Sequence, residues 1–298
     1  MMEGKRLQYL YFPGCSTREV SMPSGRSVEA ACEALGIVLR ELPDWNCCGI
    51  TASFSVDDET ALAVGARNLA LAEMEGGREL VTACSGCFLT LNKVNDELRK
   101  FPEKAERVRA ALGGAGLDYR GTVKVRHLLD VIVNDLGLDE LKRRVRGGGL
   151  GGLKVVAYYG CQTVRPYCDF DDPYNPQTLD KLLEALGAKV LDFGPYKVKC
   201  CGASLSVTGE EVMLRLVAML LLAAKRRGAE AVVTPCPFCH FNLEAFQGRA
   251  SRVAGQDLRM PVLFFTQAIG LALGLAPEDV GLDKSLCPTR PVLERVGG

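Results

Sequence analysis

One cysteine pattern occurs twice in this chain and constrains the fold more than any other feature of the sequence. Each copy has a single cysteine, then an adjacent pair, then two cysteines separated by two other residues. The first copy, with gaps of 31 and 35 residues, consists of Cys15, Cys47, Cys48, Cys84 and Cys87. The second copy, with gaps of 38 and 34 residues, consists of Cys161, Cys200, Cys201, Cys236 and Cys239. This duplication predicts two similar domains with one cysteine site each.

The segments around the cysteines are repeated as well. Short apolar, strand-like segments precede the first cysteine of each copy, in LQYLYFPGC and KVVAYYGC, and each final motif, in LVTACSGC and VVTPCPFC. A helix that ends at Gly36 or Gly187 is followed in both copies by a further strand. Alternating strands and helices predict an α/β fold: two similar βαβ-type domains with mainly parallel sheets, related by a pseudo-twofold axis. We assign these domains to residues 1–146 and 153–298, joined by the glycine-rich segment 147–152.

A long helical segment lies between the cysteine pair and the final cysteines in each half. In the first half, Ser55 with Asp58 three residues later predicts the start of the helix. In the second half, Thr208 and Glu211 predict a capping box. The repeat therefore extends to the expected helix boundaries as well as to the cysteines.

The charge balance and the apolar segments indicate which partners and which cellular location to expect. Lys plus Arg total 36 and Asp plus Glu total 36, so the net charge favours neither nucleic acid nor an anionic membrane surface. The amino terminus lacks the features of a secretory signal, and the apolar runs at 216–224 and 264–276 are shorter than the roughly 20 residues that span a bilayer. Both runs predict buried or interface helices, and the protein is expected to be cytoplasmic without a membrane span.

The 13 cysteines predict metal or redox chemistry, because disulfides are rare in the reducing compartment expected here. Loops after parallel strands share one sheet edge, so the five thiols of each half are expected to meet. Neighbouring cysteines disfavour a disulfide, and a thioredoxin-like CxxC would leave three thiols of each set unused. Structural zinc uses four ligands, whereas iron–sulfur clusters accept several thiolates from separate segments, so we favour a cluster over zinc.

The complete pattern resembles the duplicated cysteine-rich CCG domain of the heterodisulfide reductase B-subunit family, over nearly the whole chain. The spacing and the phrases ARNLALAE, CSGCF, VRHLLDV, YYGC, CCGAS and CPFCH carry this resemblance. It implies that each set of five cysteines holds a noncubane [4Fe–4S] cluster, two in all. It also implies that a small-molecule disulfide of the CoM-S-S-CoB type is reduced between the clusters. Because a CCG repeat in a relative binds zinc, zinc is an alternative for the second set.

The resemblance also implies partner chains. No ferredoxin-type CxxCxxCxxxCP run occurs in the sequence, so electrons would arrive through a ferredoxin-like C subunit and a flavin-containing A subunit. The wider family includes iron–sulfur subunits of lactate and glycolate oxidases and of some succinate dehydrogenases. An electron-relay subunit of such a dehydrogenase complex is therefore the alternative function, and a zinc-stabilised assembly module is a third hypothesis.

Residues outside the two cysteine sets are further candidates for the site. His240 directly follows the last cysteine and is a candidate proton donor to a leaving thiolate, with a structural hydrogen bond as the alternative. Arg18 and Arg165, three and four residues after the first cysteine of each copy, are candidates for binding a substrate carboxylate or phosphate. Gly49 and Gly202 are expected to let the backbone turn sharply beside each site.

Overall fold

Two four-stranded parallel sheets form the framework of the protein, one in each half of the chain. The computed structural model describes residues 7–18, 21–50 and 52–296. In both halves the second strand along the chain lies at one edge, and the first strand lies next to it inside the sheet. The predicted α/β fold with two similar parallel-sheet halves is confirmed.

The first half contains, in chain order, β1 (Leu7–Tyr11), α1 (Cys15–Arg18), α2 (Met22–Ala34), β2 (Ile37–Glu41), α3 (Ala52–Val56), α4 (Asp58–Met74), β3 (Glu79–Thr82), α5 (Ser85–Lys100), α6 (Pro102–Gly113), β4 (Lys124–His127), α7 (Leu128–Asp130), a π-helix (Val131–Gly137) and α8 (Leu138–Arg144). Its sheet has the order β2-β1-β3-β4.

The second half contains β5 (Lys154–Ala157), α9 (Thr178–Ala185), β6 (Lys189–Val190), two short 3₁₀ helices (Gly194–Val198 and Ala203–Leu205), α10 (Glu210–Arg226), β7 (Ala231–Thr234), α11 (Pro237–Ala245), α12 (Gln247–Ala254), β8 (Val262–Phe264), α13 (Phe265–Ala272), a third 3₁₀ helix (Leu282–Lys284) and α14 (Arg290–Val296). Its sheet has the order β6-β5-β7-β8, which repeats the order of the first.

Matching hydrogen bonds fix the chain where the first strand of each half ends. The amide of Phe12 donates to the carbonyl oxygen of Val81 at 2.8 Å, and the amide of Tyr158 donates to that of Val233 at 2.8 Å. Each of these bonds continues the pairing of the first strand with the third. The first cysteine of each half therefore follows a strand end of the same geometry, at the edge where parallel strands present their loops.

The two halves share part of their hydrophobic core. One buried cluster lies within each half, and a third combines side chains from both, including Tyr11, Leu129, Leu183 and Phe265. Helix α2 of the first half packs against α13 of the second. Because apolar side chains of both halves are buried against each other, their relative position is fixed by packing rather than by a flexible connection.

The glycine-rich segment 147–152 packs closely against the second half. Gly149 and Gly151 have φ angles of 65° and 56°, and a Cβ on them would lie 2.2 Å from the carbonyl oxygens of Leu186 and Arg295, respectively. Only glycine fits these positions without strain, because other residues disfavour this backbone region and there is no room for a side chain. The domain boundaries at residues 146 and 153 stay a prediction.

The starts of the two long helices differ from the sequence prediction. The N-cap of α4 is Asp57, whose carboxylate accepts the amide of Glu59 at 3.1 Å, rather than Ser55. The predicted capping box of Thr208 and Glu211 is wrong, because α10 begins after Gly209, which has no side chain to cap it. Acidic residues in the first turn of α10 stabilise its positive end instead.

The two apolar runs are buried in the folded chain. Val217, Leu220 and Leu221 of the first run lie on the buried side of α10, and all residues of α13, within the second run, are buried. Among the described residues, no helix combines the length and apolarity that a membrane crossing requires.

Candidate metal centres

Three separate segments bring the first cysteine set together. Cys15 is the first residue of α1, and the adjacent pair Cys47 and Cys48 lies in the loop between β2 and α3. Cys84 is the N-cap of α5, and Cys87 lies in the first turn of that helix. All three segments follow strands of the parallel sheet, so their loops meet at its carboxyl edge.

The five thiols of the first set form a continuous series of contacts. The sulfur atoms of Cys15 and Cys47 are 3.6 Å apart. Hydrogen bonds then connect Cys47 with Cys48, Cys48 with Cys87, and Cys87 with Cys84. The structure therefore brings all five predicted ligands of this half to one place, although their role as ligands stays a prediction.

The second cysteine set has a closely similar arrangement. Cys161 follows β5 and forms a hydrogen bond with Cys200, while the sulfur atoms of Cys201 and Cys239 are 3.4 Å apart. Cys236 is the N-cap of α11 and forms a hydrogen bond with Cys239. The hydrogen bond with Cys200 and burial raise the pKa of the Cys161 thiol, and the charges of Cys200, Cys236 and Cys201 add to this shift.

The two cysteines of each adjacent pair differ in solvent exposure, and they differ in the same way in both halves. The first member, Cys47 or Cys200, is exposed, and the second member is buried. A hydrogen bond from Cys15 holds the pKa of Cys47 well below its ordinary value, and one from Cys161 lowers the pKa of Cys200 to about 6. The exposed member is therefore a thiolate near neutral pH, which is the form that binds metals.

Glycines provide the space around both sets. Gly14 and Gly160, just before the first cysteines, have φ angles of 74° and 71°. A Cβ on Gly14 would lie 2.7 Å from Cys87 Sγ, and one on Gly160 would lie 3.1 Å from Cys239 Sγ. Sequence reasoning did not identify these two glycines, although their identical place in each copy was a usable signal.

Gly49 and Gly202 adopt left-handed φ angles of 78° and 82°. This conformation lets the backbone turn directly after each adjacent cysteine pair, at a position where a residue with a side chain would be strained. The turn also directs the amide of Gly202 to the sulfur of Cys200, at 3.2 Å.

Residues next to the two sets meet at the boundary between the halves. The hydroxyl oxygen of Ser85, inside the first CxxC motif, lies 2.7 Å from that of Thr163, two residues after the first cysteine of the second set. Ser85 Oγ is also 3.3 Å from the carbonyl oxygen of Pro235, the residue before the second CxxC motif. His127, fully buried, completes this group with Nε2 at 3.5 Å from Ser85 Oγ.

Side chains from both halves lie close to the CxxC motifs. A Cβ on Gly86, in the first motif, would lie 2.2 Å from Ile50 Cδ1 and 3.2 Å from the amide oxygen of Gln162. Phe238, in the second motif, packs against the separate cores of both halves. Ile50 and Gln162 therefore lie against the first CxxC motif, and Phe238 contacts the cores of both halves. None of the three was identified from the sequence.

His240 is buried and has hydrogen-bonding partners at both ring nitrogens. Nδ1 is 3.3 Å from Ser24 Oγ, and Nε2 is 3.2 Å from the carbonyl oxygen of Val262. Burial lowers the pKa of His240 to about 4, so the ring is neutral near pH 7. These contacts are those of a structural histidine, and the role as proton donor stays a prediction.

A cavity of about 490 Å³ adjoins His240 at the boundary between the halves. Its lining includes Arg18, Arg26 and Lys284 as well as Glu244, whose side chain is only 5% exposed. A carboxylate oxygen of Glu244 lies 3.8 Å from His240 Nε2. Burial raises the pKa of Glu244 to about 7, because the ionised form loses its hydration.

The two candidate arginines contact other protein groups. Arg18 forms ion pairs with Glu29, at 3.1 Å, and with Glu41. Arg165 donates to the carbonyl oxygen of Val198 at 2.5 Å. Arg18 also borders the cavity beside His240, whereas the contact of Arg165 holds the loop after Cys161 in place. Their role in substrate binding stays a prediction.

The donor chemistry of both sets fits an iron–sulfur centre. Each set offers five cysteine sulfurs from three segments, and glycine backbone lies against the CxxC sulfur where a side chain would intrude. Iron–sulfur clusters are held by cysteine thiolates of this kind. Among the described residues, no three His, Cys, Asp or Glu side chains form a group that would hold a single metal ion.

Comparisons with known proteins agree with the repeat. Residues 9–92 and 155–244 both match the family described as Cysteine-rich domain, CCG. The chain is 34% identical over 281 residues to the 8-methylmenaquinol:fumarate reductase membrane anchor subunit of Wolinella succinogenes, with 94% of this chain and 96% of that protein covered.

Two archaeal relatives carry the name of heterodisulfide reductase. The chain is 32% identical to the B subunit of the ferredoxin:CoB-CoM heterodisulfide reductase of Methanosarcina mazei, with 92% of each protein covered. It is 34% identical to a protein of Archaeoglobus profundus that is named as similar to the B subunit of heterodisulfide reductase, with 97% of this chain and 98% of that protein covered.

A solved structure of a hypothetical protein from Helicobacter pylori has the same fold. The TM-score is 0.74 at 17% identity, and the match covers 95% of this chain but 52% of that one, so this chain spans about half its length. Two matched CCG domains and relatives that align over nearly the whole chain show that this protein belongs to the heterodisulfide reductase B-subunit family of duplicated cysteine-rich domain proteins.

Proposed function

We propose that this chain is the iron–sulfur subunit of a heterodisulfide-reductase-type complex and reduces a small-molecule disulfide to two thiols between two noncubane [4Fe–4S] clusters. The contact between Ser85 and Thr163 supports this proposal most strongly, because it brings both cysteine sets to the same boundary. The first cluster would be held by Cys15, Cys47, Cys48, Cys84 and Cys87. The second would be held by Cys161, Cys200, Cys201, Cys236 and Cys239.

The stoichiometry of the reaction suits two centres on opposite sides of one substrate. Reduction of a disulfide to two thiols consumes two electrons and two protons. Iron–sulfur clusters, when bound, supply electrons one at a time. The duplication of the domain thus provides one centre for each electron and one side for each sulfur of the substrate.

The protein's own residues beside the CxxC motifs would bind and orient the substrate. Ile50 and Phe238 offer apolar surface that excludes water from the reacting bond, and the amide of Gln162 offers a hydrogen bond to a polar group. Arg18 borders the cavity beside His240, where its positive charge would attract an anionic group of the substrate. His240, next to Cys239, would supply one of the two protons once its ring has been protonated, because the ring is neutral near pH 7.

Disulfide reduction by the anaerobically purified protein tests this function. Reduced viologen dye serves as electron donor, mixed disulfides of small thiols serve as substrates, and released thiol is measured against dye oxidised. We expect two thiols for every two electrons consumed. Cys47→Ser should lose this activity, and iron must be measured in the same sample so that loss of the centre and loss of catalysis are distinguished.

Cys32→Ala is the matched control, because Cys32 is a buried cysteine of α2 outside both sets. It should release thiol at the wild-type rate. Equal loss of activity in Cys32→Ala and Cys47→Ser would mean that general destabilisation, not the cysteine set, explains the effect.

Electron relay within a dehydrogenase complex is the second candidate function. The relative from Wolinella succinogenes is named as part of a methylmenaquinol:fumarate reductase, and the cavity beside His240 and Glu244 has room for a ligand other than a disulfide. A protein that contains both centres and accepts electrons from the dye, yet releases no thiol from any disulfide, would favour relay.

The complex would contain a ferredoxin-like C subunit and a flavin-containing A subunit and would reside in the cytoplasm. The family resemblance supports these partners. Affinity purification of the tagged chain from its own organism, under anaerobic conditions, should retain a flavoprotein and a ferredoxin-like chain. Retention of a fumarate reductase flavoprotein instead would support the second candidate function.

A further inference from the structure

The hydroxyl group of Ser16 faces a sulfur atom of the first cysteine set. Its Oγ lies 3.8 Å from the Sγ of Cys84, the residue that caps α5. Ser16 is 3% exposed, so bulk water does not compete for the hydroxyl hydrogen. Within the described part of the chain, Cys84 is the one acceptor in reach of this hydroxyl group. The short helix α1 fixes this position, because Ser16 directly follows Cys15.

The second set has a different residue at the matching position. Gln162 follows Cys161, and its amide oxygen extends toward Gly86 of the other half. A hydroxyl does approach the second set, because Tyr158 Oη lies 3.9 Å from Cys239 Sγ. However, Tyr158 donates its single hydrogen to the carbonyl oxygen of Lys199 at 2.8 Å, so it presents an oxygen atom to the sulfur.

The residue that matches Tyr158 in the first half is Phe12, which has no hydroxyl group at all. Its ring packs edge-on against Trp45, with the centroids 5.5 Å apart. The first set therefore receives a hydroxyl hydrogen from Ser16. The second set has no such donor, because Gln162 has no hydroxyl group and Tyr158 donates its hydroxyl hydrogen elsewhere. The amides of Gly49 and Gly202 bond to Cys47 and Cys200 in the two halves, and the amide of Ile50 also bonds to Cys47. At Cys84 the Ser16 hydroxyl adds to the backbone amides of Gly86 and Cys87, which bond to the same sulfur.

We propose that Ser16 is a positioning residue that donates a hydrogen bond to the Cys84 thiolate and thereby raises the reduction potential of the first centre. Such a bond stabilises negative charge on the sulfur, and the reduced cluster carries one more negative charge than the oxidised cluster. The two centres are consequently not equivalent, although their ligands repeat. This inference rests on the proposed function only in its assignment of an iron–sulfur centre to each set.

Anaerobic redox titration of the full chain, followed by absorption and electron paramagnetic resonance, tests the proposal. In Ser16→Ala we expect the midpoint potential of one centre to shift to a more negative value while the other keeps its wild-type value. Ser16→Thr retains the hydroxyl and should restore the wild-type potential. Tyr158→Phe, which removes the hydroxyl beside the second set, should leave the Ser16-sensitive centre unchanged.

Resonance Raman spectra of the wild-type protein and of Ser16→Ala provide a second readout. The iron–cysteine stretching bands should shift on exchange from H₂O into D₂O, and part of that shift should be absent in Ser16→Ala. Iron-replete Ser16→Ala with both potentials unchanged, or with both shifted equally, would overturn the proposal. Absence of iron–sulfur absorption from the wild-type protein would instead refute the cofactor assignment on which the proposed function depends.

Discussion

Ser85 and Thr163 share a hydrogen bond of 2.7 Å, although 78 positions in the sequence separate them and they belong to different halves. Ser85 lies inside one CxxC motif, and Thr163 lies two residues after the first cysteine of the other set. Thr163 also donates to the carbonyl oxygen of Tyr159 at 2.6 Å, which fixes the turn that carries Cys161. The halves are therefore joined through the same residues that surround the two proposed centres.

Removal of the Ser85 hydroxyl should weaken this connection. Ser85→Ala loses contacts with Thr163 and Pro235, and we expect the free energy of unfolding to fall by about 1–2 kcal/mol, the cost of leaving a buried polar partner unsatisfied. Denaturant unfolding under anaerobic conditions measures this change. Ser204→Ala, at an exposed serine of the second half, should change stability by less than about 0.5 kcal/mol. Equal effects of the two substitutions would argue against a special role for Ser85.

Gly160→Ala should remove the second centre and spare the first. The new methyl group would lie 3.1 Å from Cys239 Sγ, so the CxxC sulfur must move. Gly116→Ala is a close control, because Gly116 has the same φ of 71° but no atom within 4 Å of its would-be Cβ. Both variants carry the cost of left-handed backbone, roughly 1–2 kcal/mol. Iron analysis should find about half of the wild-type content in Gly160→Ala and full content in Gly116→Ala; full content in both would show that the glycine is not needed for space.

The buried ion pair of Lys197 and Asp180 should be essential for the stability of the second half. Their side chains are 3% and 9% exposed, and the Lys197 ammonium lies 2.8 Å from the Asp180 carboxylate. Lys197→Met leaves that carboxylate buried without its counter-charge, so we expect a loss of about 3–5 kcal/mol in the free energy of unfolding. Arg215→Ala breaks an exposed pair with Glu211 and should cost less than about 1 kcal/mol. Thermal unfolding of the two variants in parallel provides the comparison, and a similar small shift in both would contradict the prediction.

Glu244 should make the protein less stable as the pH rises. Its pKa is raised by burial to about 7 in the folded protein, from 4.5 as the ordinary value. The folded state therefore holds the proton more tightly than the unfolded state, and the stability this provides at low pH is lost as the pH increases from about 4.5 to 7. We expect Glu244→Gln to exceed the wild type in unfolding free energy by up to about 3 kcal/mol at pH 8.

The comparison at pH 5 is the internal control for this prediction. At that pH the folded wild type holds a neutral group at position 244 while its unfolded state is already mostly ionised, so the difference should have fallen to about 1 kcal/mol. A constant difference between wild type and Glu244→Gln across pH 5 to 8 would show that packing, rather than ionisation of Glu244, separates them.

The sequence was sufficient to predict the architecture, because the information lies in local patterns. Strand-like segments before Cys15 and Cys84 and the glycines that end the helices are readable one segment at a time. The parallel direction of the strands then follows from the alternation of strands and helices. The predicted start of α10 was wrong by one residue. Threonine is a common N-cap residue, so Thr208 was expected to cap the helix, but Gly209 occupies the N-cap position.

The features that distinguish the two halves were not predictable from spacing. Gln162 and Ser16 occupy matching positions, yet one side chain extends across the boundary and the other faces a sulfur of its own half. Such directions depend on tertiary packing and on side-chain rotamers, which no local pattern encodes. The same applies to Glu244, whose burial arises from the junction of both halves and the 3₁₀ segment near Lys284.

Metal and sulfide analysis of the anaerobically purified wild-type protein tests most directly whether each cysteine set holds its own iron–sulfur centre. Two [4Fe–4S] clusters predict about eight iron atoms and about eight acid-labile sulfides per chain, without zinc. Zinc in place of iron, or iron and sulfide for no more than one cluster, would contradict the assignment of a redox centre to both halves.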